Sequence, residues 1–144
     1  MLSDGGPALF RLVRFFARRW ITQASEASEA NVQHVLVLEA VNASREGEPT
    51  VNAVAHQLGL DHSGASRMVK QTVAAGYLTR AESEQDRRRT VIRITASGHD
   101  LLDAAHQWQR QKFSELTRTW PDHDRQQFAV YLHRLANETA GWCP

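Results

Sequence analysis

The stretch from Thr50 to Thr95 constrains this chain most, because start and stop signals alternate along it closely enough to specify a complete small architecture. Thr50 can cap a short helix carrying Val51, Val54, Ala55 and Leu58, and Gly59 stops that helix in the left-handed conformation. Asp61 can then cap another helix, apolar at Ala65, Met68, Val69 and Val73, which Gly76 closes. Two short helices about a Gly-containing turn form a helix-turn-helix. Tyr77 to Ala81 have strand character, the charged run SEQDRRR is a turn, and Thr90 to Thr95 set Val91, Ile92 and Ile94 around Arg93 as the return strand. A helix-turn-helix followed by a β-hairpin is a winged helix. The expected fold is therefore mainly α with a small β wing.

Helical periodicity continues on both sides of this core. Leu9, Leu12, Val13 and Phe16 recur at helical spacing after a Gly-Gly-Pro start, with Arg11, Arg14, Arg18 and Arg19 between them and Trp20 beyond. Past the acidic SEASEA connection, Val32, Val35, Leu36, Leu38 and Val41 mark a second helix, ended by the polar stretch from Ser44 to Pro49. Leu101, Leu102, Ala105, Trp108, Phe113 and Leu116 follow a long helix from Ala96, and Pro121 opens a last one bearing Phe128, Tyr131, Leu132 and Leu135. The expected organisation is one domain over 1–144, with a winged core at about 31–95 and flanking helices at about 7–24 and 96–140. Leu9, Phe16, Trp20, Phe128, Tyr131 and Leu135 present more apolar surface than so small a core can cover, and a second copy of the chain would bury it.

Length and composition agree with one folded domain: 144 residues, 42% hydrophobic and 23% charged. The formal net charge is only +1, so affinity for a polyanion must come from where charge sits. Cys143 is the sole cysteine, which leaves no intrachain disulfide and no cysteine-based zinc knuckle. No apolar run approaches the roughly 18 residues of a membrane helix, and no signal-peptide order opens the chain, so a cytoplasmic location without membrane association is expected.

The run VAHQLGLDHSGASRMVKQTVAAGYLTR, the Asp86-Arg87-Arg88 turn and the RITASG lead into the long helix together resemble the MarR family of bacterial transcription regulators. The resemblance covers nearly the whole chain in order. It implies a homodimer in which the two chain ends of each subunit pair with those of the other, a fourth helix that reads double-stranded DNA, and a wing arginine, mapping onto Arg88, that enters the minor groove. It also implies that Asp86 supports that arginine, for which an ion pair is the expectation.

The residues support the same destination. With the apolar side of the fourth helix turned inward, His62, Ser63, Gly64, Ser66, Arg67 and Lys70 are expected outside, early in the helix where base contacts are made. Arg67 suits a bidentate guanine contact, and Lys70 suits a phosphate. Gly64 departs from the larger hydroxyl residue common in the family and weakens the helix locally. Arg87, Arg88 and Arg89 at a hairpin tip can reach a narrow minor groove and its flanking phosphates. Glu82, Glu84 and Asp86 precede these arginines without interleaving with them, unlike a solvated mixed-charge face.

Other constellations carry less. Asp61, His62 and Ser63 are helix neighbours that cannot form a relay, so no enzyme and no catalytic residue is expected. His99, Asp103 and His106 share a helix face but have too few companions for a metal site, and no cofactor is called for. Trp20, Trp108, Phe113 and Trp120 suit core packing or the lining of an effector pocket between the flanking helices and the wing domain. The leading expectation is a ligand-responsive repressor on a pseudo-palindromic operator. A winged-helix protein-interaction module and a nonspecific DNA-binding protein are the alternatives.

Overall fold

The structure, a computed structural model, describes the backbone of residues 4–23, 29–44 and 48–142 and the side chains of 4–17, 31–44 and 48–142. Cys143 and the side chains of Arg18, Arg19 and Trp20 lie outside the described residues. Along the chain run α1 (Gly5–Gln23), α2 (Glu29–Asn42), α3 (Val51–Leu58), α4 (His62–Ala74), β1 (Leu78–Glu82), β2 (Thr90–Ile94), α5 (Ala96–Leu116) and α6 (Asp122–Ala140). This is the mainly α winged-helix class expected from the sequence.

Local chemistry accounts for the boundaries. Asp4 Oδ1 accepts the Gly6 N–H at 3.1 Å, and Pro7 sits in the first turn of α1, where a missing N–H costs nothing. Thr50 accepts the Ala53 N–H at 3.2 Å to cap α3. Gly59 ends α3 at φ 64°, and the next N–H, of Leu60, returns to the Ala55 carbonyl at 2.9 Å. Gly76, at φ 86°, closes α4 in the same left-handed region. The hairpin pairs Leu78 with Ile94 through Glu82 with Thr90, so each strand differs by one residue from the expected span. Thr95 leaves the sheet because its hydroxyl has other uses: it accepts the Gly98 N–H at 3.1 Å to cap α5 and donates to the Gly76 carbonyl at 2.6 Å. Pro121 stands one position before α6, not inside it.

The core lies where α2 crosses α3, α4, the hairpin and the start of α5. Val37, Leu38, Val41, Val54, Ala65, Val69, Leu78, Ile92 and Leu102 are buried together, each large aliphatic side chain stabilising the fold by about 1.5–3 kcal/mol. Leu36, counted as a core marker from its spacing, is instead 42% exposed, because α2 buries Val35 and Val37 on either side of it. Val91 and Ile92 point to opposite faces of β2 yet both are buried, so the hairpin base is covered on both sides. The segment before α3 contributes to that cover: the Pro49 carbonyl accepts the Ile92 N–H at 2.9 Å.

The outer helices are different. No residue of α6 is buried, and Val130, Tyr131, Leu132 and Leu135 are exposed. Leu9, Phe10, Leu12, Val13 and Phe15 of α1 are exposed as well, whereas Phe16 and Phe128 are half-buried. At the α5–α6 elbow Phe128 stacks on Phe113 with ring centroids 5.9 Å apart and meets Trp120 at 5.2 Å. The buried Thr117 hydroxyl donates to the Phe113 carbonyl at 2.8 Å and accepts from Arg125 Nε at 3.2 Å.

Candidate nucleic-acid interface

α4 is anchored by its first turn. Asp61 Oδ1 accepts the Gly64 N–H at 2.8 Å, and a Cβ at residue 64 would come within 2.7 Å of that oxygen. Glycine there therefore leaves room for the cap, which offsets the helix propensity it sacrifices. Ala65, Val69 and Thr72 are buried against the core, and His62, Ser63, Arg67 and Lys70 are exposed. Gly64 and Ser66 are half-buried, so they are less outward than the spacing suggests. His62 is tied sideways to α3: its Nδ1 is 2.7 Å from Asn52 Oδ1. Among the described residues, neither Arg67 nor Lys70 has a carboxylate within ion-pair distance.

The wing tip is ordered by backbone-directed bonds. Ser83 Oγ accepts the N–H groups of Gln85 and Asp86 at 3.2 and 3.1 Å. Asp86 Oδ1 accepts the Arg88 N–H at 3.0 Å, and its carbonyl accepts the Arg89 N–H at 3.0 Å. Asp86 thus supports Arg88 through the main chain, not through the guanidinium ion pair that was expected, which leaves that guanidinium uncommitted. Arg87, Arg88 and Arg89 are all exposed, and none appears in an ion pair among the described residues. Arg93, further down the hairpin, is committed: its Nη2 lies 3.9 Å from both Glu48 and Glu84.

Residues 31–89, which span α2 to the wing tip, match the family model for the MarR family. Over that span the chain is similar to the MarR family. An uncharacterized HTH-type transcriptional regulator of Bacillus subtilis, YxaD, is 24% identical over 126 residues, covering 88% of each chain. Among solved structures, a MarR family transcriptional regulator from Silicibacter pomeroyi superposes with a TM-score of 0.73 at 20% identity, over 97% of this chain and 92% of that one. Staphylococcus aureus MepR bound to ethidium bromide gives 0.63 at 19% identity, over 93% and 95%. These structures share the fold of this chain.

One further residue at the wing shows its role only in the fold. Glu48, in the polar stretch between α2 and α3, accepts the Glu84 N–H at 2.9 Å. The Ser83 hydroxyl hydrogen bond holds its carboxyl below the usual range against an opposing effect of burial, with help from the Glu84 N–H and the charges of Arg93 and Arg89. The only signal in the sequence was an acid standing before a Pro-Thr helix start, which is common in loops. His106 is likewise engaged, its Nε2 lying 2.7 Å from Glu39 Oε1 on α2, and the described residues include no group of three or more metal-ligating side chains. A cleft of about 1080 Å³ opens between α2, α3 and α6, lined by Glu39, His56, His133 and Asn137 among others. None of Trp108, Phe113 or Trp120 lines it, whereas Phe113 lines a second cleft, of about 700 Å³, between α5 and α6.

Proposed function

We propose that this chain is a MarR-type DNA-binding transcriptional repressor that acts as a homodimer on a pseudo-palindromic operator. The observation that carries the reading is the set of exposed cations, Arg67 and Lys70 on α4 and Arg87 to Arg89 on the wing, presented by two adjacent elements with no carboxylate within ion-pair distance among the described residues. α4 enters the major groove with Ser63 and Arg67 towards base edges, while His62 and Lys70 meet the backbone. Arg88 enters the flanking minor groove, with Arg87 and Arg89 at phosphates. Residues of about 7–24 and 96–140 pair the subunits, and about 31–95 form the reading head. Half-sites lie about 10 bp apart, one turn of the duplex.

The cleft between the core and α6 is the place for a small effector. A ligand that binds one spacing of the two heads better than another shifts operator affinity tenfold with about 1.4 kcal/mol of coupling. No helix among the described residues is long and apolar enough to cross a membrane, in keeping with a regulator that meets DNA in the cytoplasm.

Fluorescence anisotropy against duplexes tiled upstream of the protein's own gene, at two salt concentrations, tests the reading. Tight binding to one inverted repeat, falling with salt by a log–log slope near −0.9 per phosphate contact, is the expected result. Equal, weak binding to every duplex replaces the regulator with a nonspecific DNA-binding protein. No binding at all favours a protein-interaction module.

A further inference from the structure

We propose that Glu48 is a positioning residue for DNA contact by the wing, acting on Arg88 through the Glu84 main chain and the turn that Ser83 and Asp86 hold; the proposal rests on the DNA-binding reading above. The connection is continuous. Glu48 Oε1 accepts the N–H of Glu84, the residue next to Ser83, at 2.9 Å. Ser83, only 4% exposed, accepts the Gln85 and Asp86 N–H groups with the same hydroxyl oxygen. Asp86 in turn accepts the N–H groups of Arg88 and Arg89, and the Arg89 carbonyl closes the turn on the Ser83 N–H at 2.9 Å. The tip thus hangs from one carboxylate through bonds to its main chain.

That carboxylate belongs to the reading head. The residue after Glu48 holds β2 through the Pro49 carbonyl, and the next, Thr50, caps α3. Three adjacent arginines repel one another, and a tip without a tether would have to be ordered at the moment of binding. Ordering it beforehand transfers that cost to folding and strengthens the complex. Glu48 also places a negative charge beside the proposed contact, which by Coulomb's law alone weakens DNA binding. Charge and positioning therefore predict opposite signs for its removal, and the sign is measurable.

The test uses the full-length protein, with anisotropy on the inverted-repeat duplex and on a scrambled one. Glu48→Ala is expected to weaken binding to the inverted repeat about tenfold while binding to the scrambled duplex stays equal or tightens. Glu48→Gln keeps an oxygen for the Glu84 N–H and stays within about threefold of the parent. In an Arg88→Ala background the Glu48→Ala loss shrinks to less than about twofold, because both changes remove one contact. Unchanged or tighter binding of Glu48→Ala to the inverted repeat overturns the proposal, as does a full additional loss in the Arg88→Ala background. Amide hydrogen exchange without DNA supplies an independent readout. Gln85, Asp86, Arg88 and Arg89 exchange faster in Glu48→Ala while α3 and α4 keep their protection, and unchanged exchange at the tip refutes the tether. Parent protein that binds no duplex overturns the DNA reading and the positioning role with it, and the exchange rates then decide whether the tether itself exists.

Discussion

His34 Nδ1 lies 2.9 Å from Thr72 Oγ1, and that hydroxyl donates its one proton to the Met68 carbonyl, also at 2.9 Å. The ring must therefore be the donor, with its proton on Nδ1. The pair joins α2 to α4 inside the core, with the Tyr77 ring 5.3 Å from the imidazole. Burial holds the His34 pKa below its ordinary 6.5. The unfolded chain then takes up a proton before the folded one does. The contribution of neutral His34 to stability is complete above pH 6.5 and is lost as pH falls from there through the lowered folded pKa. Urea midpoints measured between about pH 8 and pH 5 should drop across that window and should drop less in His34→Gln. Parallel curves for the two proteins would remove His34 as the cause.

A second prediction concerns close approach without unusual backbone torsion. Gly98, in the first turn of α5, is buried, and a Cβ there would collide with the Tyr77 carbonyl and come within 2.7 Å of Ile94 Cγ2. Alanine normally improves a helix by up to about 1 kcal/mol relative to glycine. Here the obstacle is main chain already bonded to Thr95, whose N–H donates to the same Tyr77 carbonyl at 3.1 Å. Gly98→Ala should therefore destabilise the protein by about 1–3 kcal/mol in urea unfolding. An equal or higher midpoint would mean that α5 can shift away from the hairpin at no cost.

What could be read in advance was set by sequence distance. Caps and stops depend on a few neighbouring residues, so Thr50, Gly59, Asp61 and Gly76 announced the helix-turn-helix, and the order of the elements followed. Thr95 reads as the last residue of a strand because its β-branched form suits one, whereas its hydroxyl accepts the Gly98 N–H as the cap of α5 and also donates to the distant Gly76 carbonyl. Leu36 misled because a helix packed on several sides loses the stripe that marks a buried face. The Glu48 contacts cross more than thirty residues of sequence, and no periodicity records such a pairing. The Asp86 contact with Arg88 was placed on the right residues but on the wrong atoms, since spacing cannot separate a main-chain acceptor from an ion pair.

The basic residues should divide by role. Arg67→Ala is expected to cost about 1–3 kcal/mol on the preferred duplex and to relax the preference at one base pair, the signature of a guanine contact. Arg87→Ala is expected to weaken all duplexes alike and to reduce the salt slope by about 1, the signature of a phosphate contact. Anisotropy titrations over several salt concentrations on matched and single-substituted duplexes distinguish the two. Identical behaviour of both variants would collapse the distinction between groove reading and backbone clamping.

The final prediction follows from the surface that α1 and α6 leave uncovered. Phe10, Val13, Val130 and Tyr131 are each more than half exposed, and Leu9, Leu12, Leu132 and Leu135 lie beside them in the sequence of the same helices. Monomers rarely expose apolar patches beyond a few hundred Å², and a two-fold pairing of such helices supplies the roughly 1,200–2,000 Å² that stable interfaces bury. Sedimentation at about 10 μM, where an interface of that size is normally saturated, should give twice the chain mass. Because α6 buries no residue within its own chain, Tyr131→Glu with Leu135→Glu should yield a monomer whose winged core keeps its helical circular dichroism. Its affinity for the inverted repeat should fall by two orders of magnitude or more, since one reading head loses the effective concentration that the other provides. A parent protein that sediments as a monomer, or a substituted one that stays dimeric, would show that these helices are covered in some other way.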